Sequence, residues 1–333
     1  MATGTIRAVL PDVGSRAFLR ASRVALGLVV LNVVSGAAVR LSDSGLGCPD
    51  WPDCSRHRLT PPLSLHPAIE FSNRLVVVVL CLVAAAVVLL ALGRRPRRGD
   101  LCWLSAGLIG GILAEAVLGG VVVYSKLNPY VVMTHFLVGI GLLTVAVVLA
   151  LRAGRPAGAH GSSRGGGPGV SKVTVGVRRL GRLMIGLLLL AIAAGTATTG
   201  AGPHAGGKGA RRIPVALSDM ARTHAEIVIV LAAATLAMLY LLQRTKAPAT
   251  VTERGRLLLG VMVAQGIVGY SQYFSHLPPL LVGVHVFGVT VLWTTMLWFY
   301  DGFTHHPVVT GERGRPDERD RPDGSTVLLG SDR

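Results

Sequence analysis

The chain is poor in charge and in aromatic residues: 15% of its 333 residues are Asp, Glu, Lys or Arg and 5% are Phe, Trp or Tyr. An ordinary soluble domain carries roughly a quarter of its residues as charges, so that class is excluded. No glycine-rich dinucleotide or flavin fingerprint is present, and redox chemistry on this chain would have to draw electrons from another protein or a membrane carrier. Residues Met1–Arg20 lack a compact apolar stretch followed by a small-residue cleavage site, so no cleavable signal peptide is read there.

What is abundant is hydrophobic sequence, 51% of the chain. Eight apolar runs are each long enough to cross a hydrocarbon core: Ala21–Val39, Ala68–Leu92, Leu101–Tyr124, Tyr130–Leu151, Leu180–Thr199, Met220–Leu242, Leu257–Phe274 and Leu280–Tyr300. They lack the alternation of barrel strands, and a lone strand cannot satisfy its backbone in lipid, so helices are predicted. The net charge of +16 falls mainly on alternate loops: Arg16, Arg20 and Arg23, then Arg94 to Arg98, Arg152 to Arg182, Arg244 to Arg256, and the tail. That alternation is a topology signal that places both termini in the cytoplasm, and it removes the case for nucleic-acid binding.

The expected division is a cytoplasmic N-terminus at 1–20, a four-helix half at 21–151, a Gly/Ser/Arg-rich linker at 152–179, a second four-helix half at 180–303 and a disordered tail at 304–333. An internal repeat supports it. A constant offset of 150 residues carries Glu115 onto Gln265, Gly119 onto Gly269, Pro129 onto Pro279 and His135 onto His285. Gly36 falls on Gly195 by the looser match of the first and fifth spans. An even number of spans per half makes the pseudo-twofold axis run along the membrane normal.

Ionisable groups inside spans are functional candidates by default. His224 and His285 lie at equivalent depth on different helices, as two axial ligands of one heme iron must. From spacing alone, heme ligation and two histidines hydrogen-bonded within the bundle are equally open. In the first half His135 takes the place of His285, and alignment of the second and sixth spans puts Asn73, a poor iron ligand, on His224. Glu70 lies on the same helical face as Asn73, where it serves either proton transfer or pairing with Arg74, one turn on. Glu115 and Glu226 carry less weight, as partners of a ligand or simply as paired bundle residues. His57, His66, His204 and His276, in loops or at span ends, are read as solvated. Gly36, Gly119, Gly120, Gly195 and Gly269 are expected to permit close helix packing. Cys48 and Cys54 share the first external loop, where a disulfide is favoured over a metal site; Cys81 and Cys102 are read as packing residues.

The stretch SGAAVRLSDSGLGCPDWPDC, then IEFSNR, VVMTHF, TGAGPHAGG, RTHAEI and VGVHVF, resemble the heme A synthase family over roughly residues 20–303. The resemblance implies oxidation of the C8 methyl of heme O to a formyl group, giving heme A for cytochrome oxidases. It implies a heme b cofactor on His224 and His285, a substrate heme near His135, Asn73 and Arg74, a glutamate at Glu70 and a cysteine pair at Cys48 and Cys54. Many members have histidine where Asn73 stands, so the first-half iron is expected to be five-coordinate or weakly six-coordinate. The partners implied are heme O synthase, oxidase assembly factors, an unidentified electron donor and a second copy of the chain, and the implied place is the bacterial cell membrane with the heme sites near its outer face. A non-enzymatic diheme electron-transfer cytochrome is the alternative.

Overall fold

The computed structural model describes residues 14–55, 60–155, 175–207 and 209–303. Among them are eight helices: α1 (Ser15–Leu41), α2 (Leu65–Gly93), α3 (Gly99–Tyr124), α4 (Pro129–Ala153), α5 (Val175–Ala201), α6 (Leu217–Arg244), α7 (Ala249–Phe274) and α8 (Pro279–Asp301). All eight are long and apolar enough to span a membrane, and the protein is an all-α, multi-pass membrane protein. Many large apolar side chains face outward, among them Val78, Leu82 and Leu89 of α2 and Leu113, Val117 and Val121 of α3. In water such stripes would collapse; against lipid tails they cost nothing.

The helices overrun the apolar stretches at several ends. α1 begins at Ser15, before the apolar run, because Arg16, Arg20 and Arg23 are adequate helix formers outside the hydrocarbon. The expected linker shrinks for the same reason, since α4 runs to Ala153 and α5 starts at Val175. Linker residues 156–174, residues 1–13 and the expected tail lie outside the described residues, as does His57.

The pairing of the helices is consistent with the repeat. α1 packs on α2 as α5 packs on α6, and α3 on α4 as α7 on α8; α4 and α8 meet at the centre, α1 reaching α8 and α5 reaching α4. The turns after α3 and α7 are copies. Ser125, Lys126 and Leu127 donate their N–H groups to Val121, Val123 and Val122, and Ser275, His276 and Leu277 donate to Ser271, Tyr273 and Gln272. In both turns two consecutive non-glycine residues are left-handed, Lys126 and Leu127 at φ 52° and 60°, His276 and Leu277 at 62° and 59°. The next helix then starts with proline at its first position, where the missing N–H has no cost.

Polar contacts tie the two halves together at both ends and between them. Arg40, at the end of α1, donates from Nε to the carbonyl of His204 (2.7 Å) and from Nη2 to that of Thr199 (3.0 Å). Between the central helices Trp293 Nε1 donates to Thr144 Oγ1 at 2.8 Å. At the opposite end Arg155 pairs with Asp301, and buried Arg98 bonds Asp100 and the carbonyls of Arg152 and Arg155. Charges buried at such depth persist because each is paired or bonded to backbone oxygen.

Candidate functional site

Asn73, His135, His224 and His285 all lie in the part of the bundle nearest the α1–α2, α3–α4, α5–α6 and α7–α8 loops. Each faces a helical glycine of a neighbouring span. A Cβ would lie 4.0 Å from Asn73 Oδ1 at Gly36, 3.8 Å from His135 Cε1 at Gly119, and 3.2 Å from His224 Cε1 at Gly195 and from His285 Cε1 at Gly269. Gly36 matches Gly195 in the repeat and Gly119 matches Gly269, so packing gives Asn73 the position of His224 and His135 that of His285. At Gly195 and Gly269 a Cβ would press on the imidazole, whereas at Gly36 and Gly119 it would make ordinary contact. Gly120 admits the ring of Trp51, whose Cδ2 would be 2.9 Å from an added Cβ.

The rings of His224 and His285 have centroids 6.5 Å apart with planes at 78°. A metal–imidazole bond is about 2 Å and each ring centre lies roughly 1.1 Å beyond its nitrogen, so two axial imidazoles on one iron have centres roughly 6–6.5 Å apart. His224 Nδ1 is 2.8 Å from the Ala191 carbonyl oxygen. A carbonyl only accepts, so Nδ1 carries the proton and Nε2 is left with its lone pair for a metal. His285 Nδ1 is buried without a hydrogen-bond partner among the described residues. Among those residues no group of three or more His, Cys, Asp or Glu could hold a metal ion. Two imidazoles are too few for a protein-held ion but suffice for an iron that already carries four porphyrin nitrogens.

The first half departs from this pattern. Asn73 Oδ1 accepts from Ser35 Oγ at 2.6 Å, which ties the amide to α1. His135 Nδ1 stands 3.3 Å from Glu115 Oε2, so Glu115 is a neighbour of a candidate ligand. Glu226 is exposed, as an i+2 separation from His224 on a helix dictates.

Glu70 is buried at 6% exposure and anchors the loop between α1 and α2. Its Oε2 accepts the Cys48 N–H at 2.8 Å and its Oε1 accepts from Arg74 Nη2 at 2.7 Å. Arg74 also donates to the carbonyls of Pro52, Asp53, Cys48 and Asp50. Pairing of Glu70 with Arg74 is thus present, and Arg74 is turned toward the loop. Tyr124 adds a hydrogen bond from its hydroxyl to the Trp51 carbonyl at 2.7 Å. Cys48 and Cys54 are joined in a disulfide, while Cys81 and Cys102 are free. So short a cross-linked loop contributes ~2–3 kcal/mol by chain entropy. Alkylation of the purified protein without reductant should modify neither Cys48 nor Cys54; mass spectrometry finding both alkylated would remove the bridge.

Of the histidines read as solvated, His66 and His276 are exposed, as expected, and His204 is half-buried. Exposed His66 holds Ser44 Oγ through Nδ1 at 3.0 Å, and His204 Nε2 meets the Leu277 carbonyl at 2.8 Å. Arg40 was missed because its partners are backbone carbonyls more than 150 residues away, which leave no trace in local sequence.

The model of the family described as Cytochrome oxidase assembly protein matches residues 20–68 and 65–206, more than half of the chain. Heme A synthase of Geobacillus kaustophilus is 35% identical over 129 residues, 37% of this chain and 39% of that protein. Heme A synthase of Geobacillus thermodenitrificans is 34% identical over 140 residues, 40% of this chain and 43% of that protein. Heme A synthase of Shewanella oneidensis is 34% identical over 147 residues, 39% of this chain and 44% of that protein. The matched segment thus spans about two fifths of the length of these relatives. On the family match, which runs from α1 to the α5–α6 loop, the chain belongs to the cytochrome oxidase assembly protein family.

Proposed function

We propose that this protein is a heme A synthase, a membrane oxidoreductase that converts the C8 methyl of heme O to a formyl group and so supplies heme A for cytochrome c oxidase. Its second half, from α5 to α8, holds a heme b between His224 and His285; its first half, from α1 to α4, receives heme O at His135. The inequality of two otherwise matching sites carries this reading: two histidines at an iron-spanning distance in one half, and one histidine opposite an asparagine tied to Ser35 in the other. A pair of electron-relay hemes needs no such inequality, whereas a substrate heme that must enter and leave is better served by a single strong ligand. The relatives named heme A synthase support the same product.

Side-chain acid–base groups cannot oxidise a methyl C–H bond, so bound heme supplies that chemistry. What the chain contributes is placement. His224 presents Nε2 because Ala191 holds Nδ1, Glu70 places a carboxylate under the disulfide loop, and the loop itself, fixed by Arg74, covers the first-half site. The basic loops orient the protein with both termini in the cytoplasm and the two sites toward the outer face. The conversion is a net oxidation that adds an oxygen atom, so it needs dioxygen as oxidant beside an electron donor; heme O synthase and oxidase assembly factors are the further partners. Co-expression with a heme O source in a host lacking heme A should yield extractable heme A. Heme O alone, with both hemes bound and redox-active, would favour the diheme cytochrome instead.

A further inference from the structure

We propose that Glu115 is a positioning residue for His135: its carboxylate accepts the imidazole Nδ1–H, fixes the tautomer and aims a more basic Nε2 at the iron of the first-half heme. This rests on the reading of His135 as that heme's ligand. Glu115 Oε2 is 3.3 Å from His135 Nδ1, and the glutamate side chain is 11% exposed. Neither His135 Nδ1 nor Glu115 Oε1 has a hydrogen-bond partner among the described residues. The His135 side chain is 34% exposed but its Nδ1 is buried, and a buried donor facing a carboxylate on the neighbouring helix is satisfied most economically by that carboxylate in a membrane interior. A small rotation of the ring aligns them, and such contacts commonly tighten when the second nitrogen is engaged.

The repeat shows that this pair is specific to one half. At the position equivalent to Glu115 stands Gln265, whose Nε2 donates to the backbone carbonyl of His285 at 3.0 Å and not to its ring. A one-residue exchange on the facing helix steers the two side chains apart. In α8 the glycine is Gly288, where an added Cβ would run into Gln265 Oε1, and Val289 follows. In α4 the order is Val138 then Gly139, where an added Cβ would lie 3.4 Å from Glu115 Oε2. Moving the glycine by one position turns the opening by about 100° around the helix. Gln265 is thereby led to the backbone and Glu115 to the ring.

The chemistry fits the half it serves. With Asn73 held by Ser35, His135 is the one protein ligand on the first-half iron, so its donor strength is not shared. A carboxylate on the far nitrogen of a ligating imidazole raises ligand basicity and locks ring orientation. His224 instead has a neutral carbonyl on its far nitrogen, the weaker acceptor, as suits a heme held from both sides.

The test is resonance Raman spectroscopy of the ferrous protein loaded with heme O. The iron–histidine stretching band arises from a five-coordinate high-spin heme and so reports the first half alone. Glu115→Gln, which keeps shape but offers a neutral acceptor, should lower the band's frequency. Glu115→Leu should lower it further, and Glu115→Asp should recover part of the wild-type value. The second-half low-spin absorption should be unchanged in all three, which also reports folding; Gln265→Leu should leave the first-half band in place. An unshifted band in Glu115→Gln and Glu115→Leu, in a protein where His135→Ala removes it, overturns the role of Glu115 alone. Retention of the band in His135→Ala overturns the ligand assignment beneath it.

Discussion

Alanine at either His224 or His285 abolishes the low-spin heme b absorption of the purified protein: this is the largest spectroscopic effect we expect, and either substitution alone suffices. Low-spin iron needs both axial nitrogens, and among the described residues no third His, Cys, Asp or Glu joins this pair. Removing His224 also frees the Ala191 carbonyl and opens space against Gly195, where no side chain exists to fill it. The cost to stability is on the order of 2–5 kcal/mol, as for other large-to-small changes in packed interiors. His135→Ala should leave this absorption intact, since the first-half site is separate. Persistence of the low-spin spectrum in both His224→Ala and His285→Ala would reject the second-half heme site.

Much of this architecture is legible in the sequence because the membrane simplifies the problem. A span must be apolar and about 20 residues long, so all eight helices could be placed, with errors confined to ends such as Ser15 and Val175 where helix continues past the hydrocarbon. The correspondence of His135 with His285 followed from an ungapped offset, and that of Asn73 with His224 from alignment of span starts. Facing glycines now support both. What stayed hidden is whatever depends on which face of one helix meets another. Glu115 reads equally as a partner of a ligand or as a paired bundle acid until α4 is laid against α3. Glu226 shows the converse error, because nearness to His224 along the chain is distance around the helix. Arg40 needed the whole fold, since its partners are main-chain oxygens of the other half.

Glu70→Gln should leave heme O unconverted, or stopped at the hydroxylated intermediate, in a protein that still folds and still shows its second-half heme. The two carboxylate oxygens do different jobs, one accepting from Cys48 N–H and the other from Arg74. A glutamine has one oxygen and one NH2, so whichever way it turns, a donor faces a donor. The penalty is about 1–3 kcal/mol for the unsatisfied contact. It stays well short of unfolding because Arg74 keeps its four loop carbonyls and the Cys48–Cys54 bridge holds the loop. That leaves two routes to lost activity, a missing proton carrier and a loosened roof, and Arg74→Gln separates them. It removes the clamp on the loop while leaving the carboxyl in place, so a role confined to the roof predicts equal loss of heme A in both variants. A chemical role for the carboxyl predicts near-complete loss in Glu70→Gln and a partial loss in Arg74→Gln, measured by heme extraction and chromatography with the second-half absorption as the internal standard. Wild-type heme A in Glu70→Gln would remove the carboxyl from the chemistry and leave it as the anchor of the disulfide loop.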